Sequence, residues 1–300
     1  MKIKRIITLA LTLMLALTAV SALSSCGNQI DDGVLIYEER TNGFGVMGCV
    51  DPEATEVVIP SEFDGKPVVA IYGMSFFTKM EKLTIPETIT YFGSGAFNKC
   101  VSLKEVRYNA TEIIGAGSSS GYFKGAGSSD GMKIIFGANV KNVPSNLLSG
   151  CANLTEVIFE GTVCESIGTS AFADCTKLTS IELVGATAIG SGAFSGCTAL
   201  TDAVLPDTLK AISNGAFSNC TALTEITVPA SVTEINGKVF NNCENLTKIT
   251  FKGSTSDWQN IMNTTSADAL GERVGYNNPN FSKYGTRVTV SCSDGEIEFK

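Results

Sequence analysis

The sequence predicts a solenoid of short parallel strands: about eight coils of about 23 residues, with a cap at each end. Three observations carry that expectation. A ten-residue phrase recurs, SGAFSGCTAL from Ser191 and NGAFSNCTAL from Asn214, 23 residues apart. A cysteine returns at Cys151, Cys175, Cys197, Cys220 and Cys243, in steps of 24, 22, 23 and 23. Apolar residues then keep fixed offsets from that cysteine, which is the mark of one supersecondary unit copied along the chain.

The first element is a leader, not part of the coil. MKIKR supplies positive charge, Ile6 to Val20 is an almost wholly apolar run, and ALSSC ends at Cys26. Basic, apolar, then small residues is the order of a secretory signal. The apolar run is about 15 residues, short of the roughly 20 that span a bilayer. Residues 1–25 are therefore read as a signal peptide. The stretch Gly27 to Gly33 is polar, so residues 26–43 are read as a tether and the start of an N-terminal cap.

The repeats fill residues 44–262. A degenerate first unit holds Met74, Phe77, Met80, Leu83 and Ile85. GAFNKC then brings Phe97 and Cys100. The 51-residue step to Cys151 fits two units, the missing one being marked by Phe123 in GYFKGA. Regular copies follow, with Phe172, Phe194, Phe217 and Phe240 each three residues before a cysteine. Leucine comes three residues after the cysteine, at Leu103, Leu154, Leu178, Leu200, Leu223 and Leu246. Val or Ile usually stands three further on, and another apolar residue two beyond that, at Tyr108, Phe159, Leu183, Leu205, Val228 and Phe251. An i, i+2 apolar pair reads as a short strand with one face inward. Pro86, Pro206 and Pro229 stop the strand where no ladder donor is needed. Val143, Ile167, Ile189, Ile212 and Ile235 lie five residues before the ring or leucine position, usually followed by a small or polar residue that turns the chain. One such unit buries too little apolar surface to offset its own ordering, so the copies must stack. Residues 263–300 are read as a C-terminal cap ending in a hairpin over VTVSCSDGEIEF, turned at Asp294-Gly295.

These phrases resemble two known patterns. The stretch before Cys26 is similar to the bacterial lipobox, with Leu23 three residues ahead of the cysteine. That resemblance implies a diacylglycerol on Cys26 and a membrane anchor. The repeats resemble the BspA-type leucine-rich repeats of bacterial surface proteins, with ISNGAFSNCTALTEITVP, Ile212 to Pro229, as the closest copy. ATEVVIPSEFDGKPVVAI, Ala54 to Ile71, is similar to that family's first cap, and FKGSTSDWQNI, with Trp258, to its exit segment. The resemblance implies a leucine-rich-repeat solenoid of the horseshoe class, no enzymatic activity and no cofactor. It also implies an extracytoplasmic, cell-surface binding or adhesion role toward an extracellular protein. It supplies no binding residue.

Composition limits the chemistry. The chain has no histidine, which removes the commonest general base, the commonest zinc ligand and every Ser-His or Cys-His pair. Net charge is −8, and three of the 22 basic residues lie in the first 25 positions, so what remains is more acidic still. Such a body repels phosphate backbones, and nucleic acid is not an expected partner. Six cysteines, Cys100, Cys151, Cys175, Cys197, Cys220 and Cys243, share one ladder position. Metal ligation, disulfides and buried structural thiols compete as explanations. Neighbouring rungs point the same way, which suits small buried hydrophobes. The pairing of Cys49, Cys164 and Cys292 stays open. Within GAGSSSGYFKGAGSSDG, an expected extruded loop, Tyr122 and Lys124 are candidate contacts. Trp258 and Tyr276 are read as cap packing. A monomeric binding protein is the leading expectation; a glycan-capturing lipoprotein and a hydrolase built on a carboxylate pair are the alternatives.

Overall fold

The computed structural model describes residues 29–74, 76–114, 121–264, 270 and 288–298. The N-terminal cap comes first. Strands β1 (Gln29–Asp31), β2 (Leu35–Arg40) and β3 (Gly43–Cys49) form an antiparallel meander. Within the polar stretch Gly27 to Gly33, Gln29 to Asp31 therefore pair as a strand of this meander. Gln29, Ile30 and Asp31 pair with Glu38, Tyr37 and Ile36 through the backbone, which side-chain polarity does not prevent. Asp32 fixes the turn: its carboxylate accepts from the amides of Val34 and Leu35 at 2.9 and 2.8 Å and from the Tyr37 hydroxyl at 2.7 Å.

The chain then enters the coil. It passes through β4 (Glu56–Val58), β5 (Glu62–Phe63), β6 (Lys66–Ile71), β7 (Lys82–Ile85), β8 (Tyr91–Phe92), β9 (Glu105–Tyr108) and β10 (Met132–Phe136). It continues through β11 (Asn142–Val143), β12 (Leu154–Phe159), β13 (Ser166–Ile167), β14 (Ser180–Glu182), β15 (Ala188–Ile189), β16 (Asp202–Val204) and β17 (Ala211–Ile212). The last coils hold β18 (Glu225–Val228), β19 (Glu234–Ile235) and β20 (Lys248–Phe251). Helix α1 (Thr255–Thr264) and the hairpin β21 (Thr289–Cys292) and β22 (Gly295–Glu298) close the end.

The result is a β-solenoid of about 9 turns of about 23 residues with little helix, the solenoid the spacing predicts. The count is one above that of the motif because β4, in the capping segment, already pairs in parallel with β7. The spine consists of β4, β7, β9, β10, β12, β14, β16, β18 and β20. A second parallel sheet, β11-β13-β15-β17-β19, runs along another side. It is built from the two-residue segments around Val143, Ile167, Ile189, Ile212 and Ile235, which the sequence marks only as turns. Each pairs with its counterpart in register, as Ile189 does with Ile167 and Ile212.

The recurring phrase is explained by three packing facts. Its phenylalanines form a stacked column: Phe172 on Phe194 at 5.3 Å, Phe194 on Phe217 at 5.3 Å and Phe217 on Phe240 at 5.9 Å between ring centres. Phe123 joins a separate stack on Phe97 at 4.2 Å, and Leu148 holds the ring position in the coil between. The residue before the cysteine is left-handed, with φ +77° at Gly196 and +60° at Asn219, so Gly, Asn and Asp alternate there. The third fact concerns the thiols. Cys197, Cys220 and Cys243 place Sγ 3.1, 3.2 and 3.0 Å from the carbonyl oxygens of Phe172, Phe194 and Phe217 in the coil before. The carbonyls of Phe172, Phe194 and Phe217 also accept the amide of the cysteine in their own coil. Each such carbonyl thus ties two adjacent coils together.

Tyr108 lies at the centre of the N-terminal half, packed against Phe92 and Phe136, with its hydroxyl buried and without a partner in the protein. A buried hydroxyl left unpaired costs about 1–3 kcal/mol. Tyr108→Phe is therefore expected to stabilise the fold by about 1 kcal/mol. A raised urea midpoint at unchanged m-value checks this; a lowered midpoint contradicts it.

The C-terminal end is sealed by capping. The Ser254 hydroxyl accepts from the Asp257 amide at 3.1 Å, and the Asp257 carboxylate accepts from the Ser254 amide at 3.1 Å, a reciprocal box at the start of α1. Hydrogen bonds from Ser254 hold the Asp257 carboxyl below the usual carboxylate range. Trp258 is fully buried, 5.2 Å from Phe251. Strand β21 extends the spine in parallel from β20, and Cys292 pairs with Gly295. The turn is thus Ser293-Asp294, one residue earlier than the sequence suggests. Asp294 is drawn into it because its carboxylate caps α1, accepting from the Thr255 amide at 2.7 Å.

Candidate binding face

The cysteines, the first candidates for chemistry, are buried. Cys100, Cys151, Cys175, Cys197, Cys220 and Cys243 are free thiols inside the core, and Cys49, Cys164 and Cys292 are free as well. Burial pushes Cys100, Cys151 and Cys197 up to about 12 and holds Cys175 well above its ordinary value. Hydrogen bonding with Cys243, together with burial, does the same for Cys220. A thiol so placed carries no thiolate at neutral pH, and the thiolate is the form that attacks or ligates. Ala126 fills the same rung in the Phe123 coil, so the position requires a small buried group. Among the described residues no three of Cys, Asp and Glu converge as metal ligands, and no charged side chain is buried.

Chemistry therefore falls to surfaces, and the outer face of the spine carries columns of charge. Strand pairing places Glu56, Lys82, Glu105, Lys133 and Glu156 side by side in one column of alternating sign. Lys133 Nζ lies 2.9 Å from Glu105. The next outward column carries Val58, Thr84, Arg107, Ile135 and Ile158. Arg107 reaches past Ile135 to grip Glu160 with two bonds of 2.8 Å, leaving Ile135 only 8% exposed. That pairing holds the Glu160 carboxyl below its ordinary range. The N-terminal half of the face is thus self-neutralised.

Beyond β12 the face changes. On β14, β16 and β18 Asp202 lies beside Ser180, Glu182 beside Val204, and Glu225 beside Lys248; Glu182, Asp202 and Glu225 are exposed and form no ion pair among the described residues. The ladder also breaks here. A bulge at the start of β12 shifts its register against β10, and no backbone hydrogen bond joins β12 to β14. Val157 and Phe159 are half-buried there, whereas their counterparts Val106, Ile134, Ile181 and Ile226, and Tyr108, Phe136, Leu183 and Val228, are buried. The break opens a groove of about 420 Å³ lined by Glu156, Val157, Ile158, Phe159, Ser180, Glu182 and Val184. A second depression, of about 570 Å³, lies on another side among Thr111, Glu112, Asn139, Lys141, Asn142 and Val163.

The expected contact residues fare differently. Tyr122 is 2% exposed, its ring 5.2 Å from Phe92, so it cannot be a surface contact. It stands directly before Phe123, at the buried position that alanine fills in Ala96, Ala171, Ala193 and Ala216, and the extruded loop expected there is core from Gly121 to Phe123. Lys124 is exposed. Cys26 and Tyr276 lie outside the described residues. The groove was not read from the sequence; the long step to Cys175 and Glu160 in the usual proline place are its only signals.

No helix among the described residues is long and apolar enough to cross a membrane. No curated protein matches the chain. Among solved structures it is similar to the T. pallidum leucine rich repeat protein TpLRR, at 22% identity over 74% of this chain and 84% of that one, with a TM-score of 0.38. It is similar to a leucine rich cell surface protein from Faecalibacterium prausnitzii, at 18% over 79% and 98%, TM-score 0.30. The pneumococcal vaccine antigen PcpA matches at 16% over 77% and 83%, TM-score 0.31. The sequence pattern of the BspA type leucine rich repeat region matches in 6 copies, over residues 70–184 and 141–266. Since those matches span more than half of the 300 residues, the chain belongs to the BspA-type leucine-rich-repeat family.

Proposed function

We propose that this protein is a lipid-anchored, extracytoplasmic binding protein that holds an extracellular protein on the outer face of its spine. The observation that carries the reading is the acidic stretch of that face, Glu182, Asp202 and Glu225, exposed and without an ion pair among the described residues. Exposed like charge without internal partners lends itself to electrostatic complementarity, which favours a partner presenting basic residues. The leader ending in Cys26 supports membrane attachment, and membership of a family typical of bacterial surfaces supports the location. A carboxylate hydrolase would need a desolvated acid, and no acidic side chain among the described residues is buried.

The purified protein is expected to bind at least one extracellular matrix protein in a salt-sensitive manner, measured by biolayer interferometry across a matrix and glycan panel. Binding to glycans alone would replace this reading with nutrient capture. Cys26→Ala is expected to move the protein from the membrane to the soluble fraction; continued fractionation with membranes would refute the anchor.

A further inference from the structure

The spine ladder is interrupted twice among the described residues, between β12 and β14 and between β16 and β18; only at the first do core side chains, Val157 and Phe159, become half-exposed, whereas Ala203, Leu205, Ile226 and Val228 at the second stay buried. The geometry points to the groove between β12 and β14 as a docking site for an extended basic-apolar peptide segment of the partner, an assignment that rests on the binding reading above. Three independent features converge on it. The ladder that runs from β4 through β12 stops, so the facing edges of β12 and β14 have no backbone bonds to each other. The gap between them exposes the side chains beneath rather than admitting a further strand. Val157 and Phe159, turned inward like their buried counterparts, are half-exposed here and offer an apolar floor. The rim is acidic on both sides, Glu156 on β12 and Glu182 on β14, with the hydroxyl of Ser180 between.

These features select one occupant. Parts of β12 and β14 lie within 8 Å of each other, too close for a whole strand to intercalate at about 4.8 Å per step. A segment must therefore lie along the groove, directing an apolar side chain at Val157 and Phe159 and placing Lys or Arg against Glu156 and Glu182. Alternation of apolar and basic residues satisfies both in an extended chain, whose side chains alternate. On the opposite side of β12 Lys133 bonds Glu105 while standing beside Glu156, and Arg107 is engaged with Glu160, so Glu182 is the rim carboxylate that no cation among the described residues pairs with.

The test is fluorescence anisotropy of the purified protein with a labelled five-residue peptide alternating lysine and valine. The double variant Glu156→Gln/Glu182→Gln, both exposed and isosteric, is expected to weaken binding roughly tenfold. The double variant Glu62→Gln/Glu87→Gln, exposed and on the N-terminal coils away from the groove, is expected to change it less than about twofold. A peptide with glutamate in place of lysine should not bind. Equal losses in the two double variants would show that net charge alone attracts the peptide, overturning the groove. If a matrix protein binds and Glu156→Gln/Glu182→Gln leaves that binding unchanged, the groove fails while the binding reading survives. If the peptide binds as stated and no matrix protein does, the groove stands and the choice of partner falls.

Discussion

Raising the pH from 8 to 10 is expected to cost the fold about 7 kcal/mol. The origin is the thiol ladder. Cys100, Cys151, Cys175, Cys197 and Cys220 stay protonated in the core, with Cys100, Cys151 and Cys197 pushed up to about 12. In the unfolded chain each ionises near its ordinary value of 9. Below pH 9 both states carry the proton and nothing is lost. Above it the unfolded state sheds protons that the native state keeps, so stability falls with pH, by about 1.4 kcal/mol per thiol per unit until the folded value is reached. The buried hydroxyls of Tyr108 and Tyr122, also raised by burial, add to the slope from about pH 10. Urea midpoints measured between pH 8 and 10 check the slope. Replacing Cys175 and Cys197 with alanine, the residue that already serves as Ala126, should remove about two fifths of it. An unchanged slope in that variant would show that the thiols do not set the alkaline limit.

Phe194→Ala is expected to destabilise the protein by about 3–5 kcal/mol. The ring lies between Phe172 and Phe217, 5.3 Å from each, and is fully buried. Truncation leaves a cavity that rigid coils on both sides cannot close, and it weakens two coil interfaces at once because each coil touches only its neighbours. Phe194→Leu should cost under about 1.5 kcal/mol, since leucine already fills this position as Leu148. Chemical denaturation distinguishes the two variants; a loss below about 1 kcal/mol for Phe194→Ala would mean that the column yields rather than stacks.

What the chain discloses in advance follows from where the information resides. The thiol and phenylalanine columns are legible because a fixed offset from Cys197 to Cys220 forces the same environment in each coil. Tyr122 is misread for an instructive reason. Its glycine- and serine-rich surroundings suggest a loop, but its position before Phe123 is that of Ala171 and Ala193, and offset outweighs composition. The second sheet escapes notice because two residues such as Ala188-Ile189 are too short to show alternation. The groove escapes because the bulge in β12 is defined by pairing with β10, a relation between residues 22 apart that no local pattern displays. Side-chain charge is legible; which charges find partners is not. Glu160 and Glu182 look alike in the sequence, yet one is gripped by Arg107 and the other is left bare.

The register of the thiol-to-carbonyl bonds has a consequence for length. Thr198 to Cys220 is one full period, and both of its boundaries read Cys followed by Thr-Ala-Leu. Excising or duplicating that segment would leave every junction unaltered, with Cys197 or its copy bonding the same kind of carbonyl. The molecule is in that sense a ruler graduated in single coils of about 4.8 Å. Its reach can be lengthened or shortened by whole graduations, and each one inserted or removed between β14 and β18 also sets how far the acidic stretch extends.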